Sequence, residues 1–359
     1  MSTVSEVSRR PRRPWRRRRV VVPAAAVLVL ALLVTWLVVR SQEEVERPGP
    51  TTVLPAGYPF GSGSVWRQDV SRAPVADGSP AMVRGLAQQV ADHYGGVAAF
   101  NVNSYTASYY EVGPDTPRVD VAWDNCQGKK YTPKGLVGEG GQLSQVPVPD
   151  DAVPASGRDA QLTVHDPASD QLWELWRAQK VDGRWQACWG GRIDHVSRSP
   201  GFFTGGFGAS GSGLAISGGM VWEDDVRNGR IDHALSLAIL DVKHWKTVSW
   251  PAQRSDGSNR SDDAIPAGTR LRLDPSVDVA DLGLSPVAAM IARAAQTYGF
   301  IVTDKSAAVA VTAQSGENRA TDDAWPALLQ GKKSYEVMKG FPWNRLQALP
   351  QDYGEPTSN

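Results

Sequence analysis

The run Leu172-Trp173-Glu174-Leu175-Trp176 sets one carboxyl between an indole and a leucine. Side chains alternate along an extended strand, so Leu172 and Trp176 share the face of Glu174. A carboxyl beside an indole loses water and its pKa rises, which suits the general acid of glycoside cleavage. That chemistry needs a second carboxylate, which Asp159, Asp194 or Asp256 could supply. Trp173, Trp176 and Trp189 offer ring faces on which sugars stack, with Gln161 as a polar partner. A glycoside hydrolase or polysaccharide lyase is the enzyme class such residues would serve. The competing reading is structural: eleven tryptophans outside the N-terminal segment fill a large core, and Glu174 pairs with an arginine such as Arg177.

His233 is the third catalytic candidate, beside Glu174 and Asp159. The pentapeptide GRIDH occurs at residues 191–195 and again at 229–233. The first copy runs into the turn-like VSRSPGFF, whereas the second continues as ALSLAIL, a sustained apolar strand. The likeness stops after five residues, so it is an echo and not a duplication. Alternation along the second copy puts Ile231, His233, Leu235, Leu237 and Ile239 on one face and Asp232 on the other. Asp232 and His233 therefore cannot chelate together. His233 is either a buried, hydrogen-bonded structural group or a catalytic one.

Other motifs are less specific. Residues 204–213, TGGFGASGSG, lack the Gly-Lys-Ser/Thr ending of a P-loop and the strand–helix setting of a dinucleotide site, so a mobile loop is expected. Ser210 makes no G-x-S-x-G elbow. His93 and His165 stand singly near element ends and are expected in solvent. Asp256, Asp262 and Asp263 could bind calcium through loop oxygens, although the spacing is not that of an EF-hand. No other cofactor and no metal centre is expected.

The elements that must position these groups are mostly strands. The short β-prone runs at 105–112, 161–165, 172–176 and 184–189 are separated by clusters of Gly, Pro, Asp and Ser. They predict a mainly β domain, a jelly-roll-like β-sandwich with two or three short helices. Ser79-Pro80 and Ser285-Pro286 each open a helix, with serine as cap and proline in the first turn, and glycine after tyrosine closes it. A third short helix is expected between Asp322 and Leu329.

From Gly229 onward the text reads GRIDHALSLAI, SWPAQRSDG, AIPAGTRLRLDPSVDV, LSPVAAMIARAAQTYGFIVTD and a late FPW. It resembles an uncharacterised family of secreted or membrane-anchored actinobacterial proteins with the signature G-x-I-x-H-A-L, W-P-A, P-x-G-x-R-x-R-L and Y-G. The resemblance extends upstream and covers about residues 64–349. It implies a β-rich extracellular domain without a defined reaction. Gln161 stands where relatives carry histidine after Gly-x-Asp.

The ends fix the expected location. Residues 1–19 form an arginine-rich cytoplasmic tail with eight arginines and one acid, and 20–39 are uncharged. Twenty residues span roughly 30 Å as a helix, so a single-pass signal anchor with the bulk outside is expected. Residues 40–63 read as a flexible linker, 64–350 as the extracytoplasmic domain and 351–359 as a C-terminal tail. Residues 1–40 hold nine arginines and one acid, which leaves 29 basic and 37 acidic residues beyond them. An acidic ectodomain stays soluble and disfavours nucleic acid or anionic surfaces as partners; the anchor and the Trp/Glu strands point instead to cell-wall or extracellular polysaccharide. The only cysteines, Cys126 and Cys188, are expected to pair there. The expected function is therefore a membrane-anchored, carbohydrate-binding or polysaccharide-active protein. A non-enzymatic surface module is the alternative.

Overall fold

The computed structural model describes residues 54–317 and 323–357. The expected tail at 1–19 and anchor at 20–39 lie outside them. Among the described residues, no helix is long and apolar enough to cross a membrane.

The strands in chain order are β1 (Ala99–Asn101), β2 (Ala107–Glu111), β3 (Ala122–Trp123), β4 (Gln161–Asp166), β5 (Gln171–Trp176), β6 (Gln179–Val181) and β7 (Arg184–Ala187). They continue with β8 (Trp189–Asp194), β9 (Leu235–Ile239), β10 (Arg270–Leu273), β11 (Phe300–Lys305), β12 (Ala310–Thr312) and β13 (Leu346–Ala348). The helices are α1 (Ser79–Ala91), α2 (Ile216–Gly219), α3 (Glu223–Asn228), α4 (Pro286–Thr297) and α5 (Trp325–Leu328). Three sheets result, ordered β1-β12-β9-β11-β10-β13, β2-β4-β5-β8 and β3-β7-β6. The protein is thus mostly sheet with few helices, as its turn-punctuated sequence predicts. Each sheet also contains a parallel pair: β9 with β11, β2 with β4, and β3 with β7. An all-antiparallel jelly roll has none, so the mixed order is a departure from that expectation.

Helix α4 follows from its sequence. Ser285 Oγ accepts from Ala288 N at 3.2 Å, Pro286 begins the first turn, and Gly299 takes the left-handed conformation just past the end. Its stripe of Val287, Met290, Ile291, Ala294 and Ala295 is buried in the largest core cluster with Leu271, Phe300 and Val302. Helix α1 is different: Gly78 is the cap residue, and Ser79 instead accepts from Ala348 N at 2.8 Å, tying the helix to β13. The third helix is the single turn α5.

The two GRIDH copies exchange the roles expected of them. The first supplies the second half of strand β8, whereas the second is irregular and β9 begins only at Leu235. Gly229 ends α3 in the left-handed region, and residues 230–234 form no strand and bend at His233. Face alternation therefore does not apply to His233, which is nevertheless fully buried.

Both ends of the domain pack further than expected. Phe60, assigned to the flexible linker, is buried in a cluster with Trp66, Leu172 and Ile301. Asp352, assigned to the tail, accepts from Trp250 N and donates its own N–H to Ser249 Oγ. Cys126 and Cys188 form a disulfide.

Candidate functional site

The four-stranded sheet sets out two polar constellations, one sealed and one at its end. Cross-strand register places Tyr109, Thr163, Glu174 and Gly191 in one row. Two residues along β4, His165 shares that face with Thr163.

Glu174 is 1% exposed. Its carboxylate accepts from Ile216 N at 3.1 Å, Ser217 N at 2.9 Å and Ser217 Oγ at 2.8 Å. It therefore caps α2, supplying an acceptor for the first free N–H groups of that helix. Burial pushes it up to about 7, against the pull of these three bonds. No bond to Arg177 forms; that guanidinium lies 5.8 Å from the Trp176 ring.

His233 is 0% exposed and sits in the same interior. Its Nδ1 is 2.8 Å from the Ala234 carbonyl, which can only accept, so Nδ1 carries a proton. Its Nε2 is 3.0 Å from Asp225 Oδ2, and Tyr58 stacks on the ring at 5.0 Å. Tyr109 donates to Gly57 O and meets His165 Nδ1, each at 2.8 Å. His165 is thus buried, not solvated, and burial lowers its pKa. These groups are satisfied and out of reach, so neither Glu174 nor His233 touches a ligand in this conformation.

The second constellation is at the Trp176–Trp189 end of the sheet. These residues face each other across β5 and β8, and both are half-buried. Trp176 Nε1 donates to Asp159 Oδ1 at 3.0 Å. Trp189 stacks on Phe207 at 5.9 Å and donates to Gly206 O at 3.2 Å. Its neighbour Phe207 belongs to the glycine-rich segment expected to be a mobile loop. That segment is instead pinned by Arg254, whose guanidinium donates to the carbonyls of Gly206, Gly208, Ser210 and Gly211.

Pinning the loop aims Gly211 at two carboxyls. Gly211 N donates to Asp304 Oδ2 at 3.2 Å. A Cβ on Gly211 would lie 2.7 Å from Asp304 Oδ1 and 2.9 Å from Asp256 Oδ1, so a side chain there would push against both carboxyls. Those two oxygens are separated by at most the sum of these distances. Asp304 follows a register shift in the β9–β11 pairing, a bulge of the kind that re-aims a side chain. Burial, Asp256 and Asp159 together push Asp304 up to about 7, and burial also raises Asp256. Unlike Glu174, Asp304 is partly exposed.

The remaining sequence candidates scatter. Trp173 is fully buried on the opposite face, in a cluster with Leu162 and Leu175. Gln161 is buried and pairs in register with Ala107. Asp194 binds Gln171 and Arg192 at the far end of β8, roughly 17 Å along the strand from Trp189. Asp262 and Asp263 are exposed, away from the carboxyl pair that Asp256 joins. His93 is exposed. Ser210 is buried and donates to Leu214 O. Asp124, Cys126 and Cys188 are close enough to suggest a metal centre, but the sulfurs are joined in the disulfide and are not thiolates. Sequence reasoning passed over Asp304, Arg254 and Phe207. The one available signal was the aspartate that closes the strand after the Tyr-Gly helix end.

Fold and site define a β-rich, disulfide-stapled protein with an aromatic and carboxylate surface. Comparison with family models, with curated proteins and with solved structures finds no match for this chain.

Proposed function

We propose that this is a membrane-tethered, extracytoplasmic protein that takes polysaccharide at the end of its four-stranded sheet. Trp176, Trp189 and Phe207 provide the stacking surface, and Asp159, Asp256 and Asp304 line it with carboxyls. The observation that carries the reading is this union of half-buried indoles with a close carboxyl pair, one of which is held near 7. A carboxyl still protonated near neutrality can donate to a glycosidic oxygen while its partner stays ionised. In this reading Asp304 is the acid and Asp256 the second carboxylate, roles that Glu174 and His233 are too buried to fill. The tether at 20–39 and the disulfide both fit an oxidising exterior.

The finer architecture we propose is a sandwich of the six- and four-stranded sheets. What supports it is the cluster in which Tyr109, Leu172 and Ile193 from one sheet meet Ile301 from the other.

The test is to incubate the purified protein with a polysaccharide panel and measure binding and released reducing ends. Asp304→Asn should abolish release and leave binding intact. Neither binding nor release by the unaltered protein would overturn the proposal. A second reading, a non-enzymatic surface module, draws on the burial of Trp66, Trp173 and Trp325. It predicts binding to a protein partner without any sugar release.

A further inference from the structure

The platform carries positive charge that its own acids do not use. Lys129 Nζ stands 5.2 Å from the centre of the Trp189 ring, and the Arg177 guanidinium 5.8 Å from that of Trp176. The two indoles are cross-strand partners, and each carries one of the two cations over its ring. Among the described residues neither cation makes an ion pair. Nearby carboxylates are engaged elsewhere: Asp124 accepts from Cys126 N at 2.8 Å and Asp159 from the Trp176 indole. Asp256 and Asp304 face each other across Gly211.

The position of Lys129 is built into the fold. Asn125 Nδ2 donates to Lys129 O, and Lys129 N donates back to Asn125 Oδ1. That turn is bolted to the start of β8 by the Cys126–Cys188 bond, one residue before Trp189. Lys129 is thus delivered to the ring by a covalent staple. Arg177, in the left-handed conformation directly after β5, donates its backbone N–H to Asp159 O.

Resting on the sugar-binding reading above, we infer that the glycan is acidic: a uronate-bearing chain whose rings lie on Trp176 and Trp189 and whose carboxylates meet Lys129 and Arg177. Sugar faces stack on indoles irrespective of charge, whereas the two cations favour a carboxylate and make binding salt-dependent.

The experiment compares polygalacturonate with uncharged dextran on the full-length protein, at low and high salt. Polygalacturonate should bind more tightly and weaken as salt rises. Lys129→Ala and Arg177→Ala should each weaken it about fivefold, and the double variant at least about tenfold, as expected of partly exposed charge contacts. Dextran binding should not respond to either substitution, and Arg177→Lys should restore part of the loss. An unchanged tryptophan emission spectrum certifies folding of each variant. Equal binding of both glycans, or polygalacturonate binding indifferent to both substitutions, overturns the inference while leaving the sugar reading standing. Binding of neither glycan removes both.

Discussion

Two carboxyls in this protein are held near the same value by different surroundings. Glu174 is at about 7 because it lies in the core, where three donors from α2 pull it the other way. Asp304 is at about 7 because burial is reinforced by Asp256 and Asp159. The first is sealed under a helix start, whereas the second belongs to a residue of intermediate exposure held against the pinned glycine-rich loop. The comparison teaches that a raised carboxyl marks a candidate acid only where a ligand can reach it. In the sealed region desolvation is a cost of fold architecture; in the open region it is joined by like charges that a reaction could use.

The disulfide gives the largest expected effect, and it belongs to the open region. It closes a loop of 62 residues, for which chain entropy alone contributes about 4 kcal/mol. Replacing both cysteines with serine should lower the urea midpoint accordingly and lower the affinity for polygalacturonate, while the Glu174 cap stays in place. A loss below about 1 kcal/mol would mean that the loop before β8 is held by its other contacts.

Removing the two carboxyls should separate the regions next. Glu174→Ala strips the acceptor from two buried N–H groups and a buried hydroxyl and leaves a void, so a loss of about 3 kcal/mol is expected. Asp304→Asn removes a like charge and keeps the shape, so stability should stay within about 1 kcal/mol. Chemical denaturation of both variants checks this. Equal losses would erase the distinction.

That separation was only partly legible in the sequence. Local signals held where the physics is local: the Ser285-Pro286 opening and the Tyr-Gly close of α4, and turn-bounded strands such as β4 and β5. The desolvation of Glu174 is legible in part, because Leu172 and Trp176, two residues away on either side, share its face of the strand. What desolvates it in addition is α2, some forty residues later, and no spacing announces that contact. His165 looked solvated for the same reason: Tyr109, its partner, arrives by parallel pairing from β2. The GRIDH copies misled because alternation was applied to a segment that a left-handed glycine had already bent. Asp304 and Asp256 meet only through Gly211, which is placed by Arg254, so their pairing is a property of the tertiary fold.

The smallest effects are the most discriminating, because they ask why each carboxyl is raised. In the unfolded chain both ionise near pH 4, whereas in the folded protein both hold their protons to about 7. Between these values the folded state binds more protons, so stability is full below about pH 4 and falls as pH rises through 7. Between pH 6 and 8 each group should remove about 1 kcal/mol, seen as a falling denaturation midpoint. Glu174→Gln and Asp304→Asn should each delete one share of that slope. Salt then tells the shares apart. The like-charge part of the Asp304 shift is screened in high salt, and Asp256→Asn should remove much of it, moving the Asp304 titration to lower pH. Glu174, raised by burial alone, should not respond to either change. If Glu174 moved with salt and Asp304 did not, the carboxyl pair across Gly211 would not be the source of the Asp304 shift.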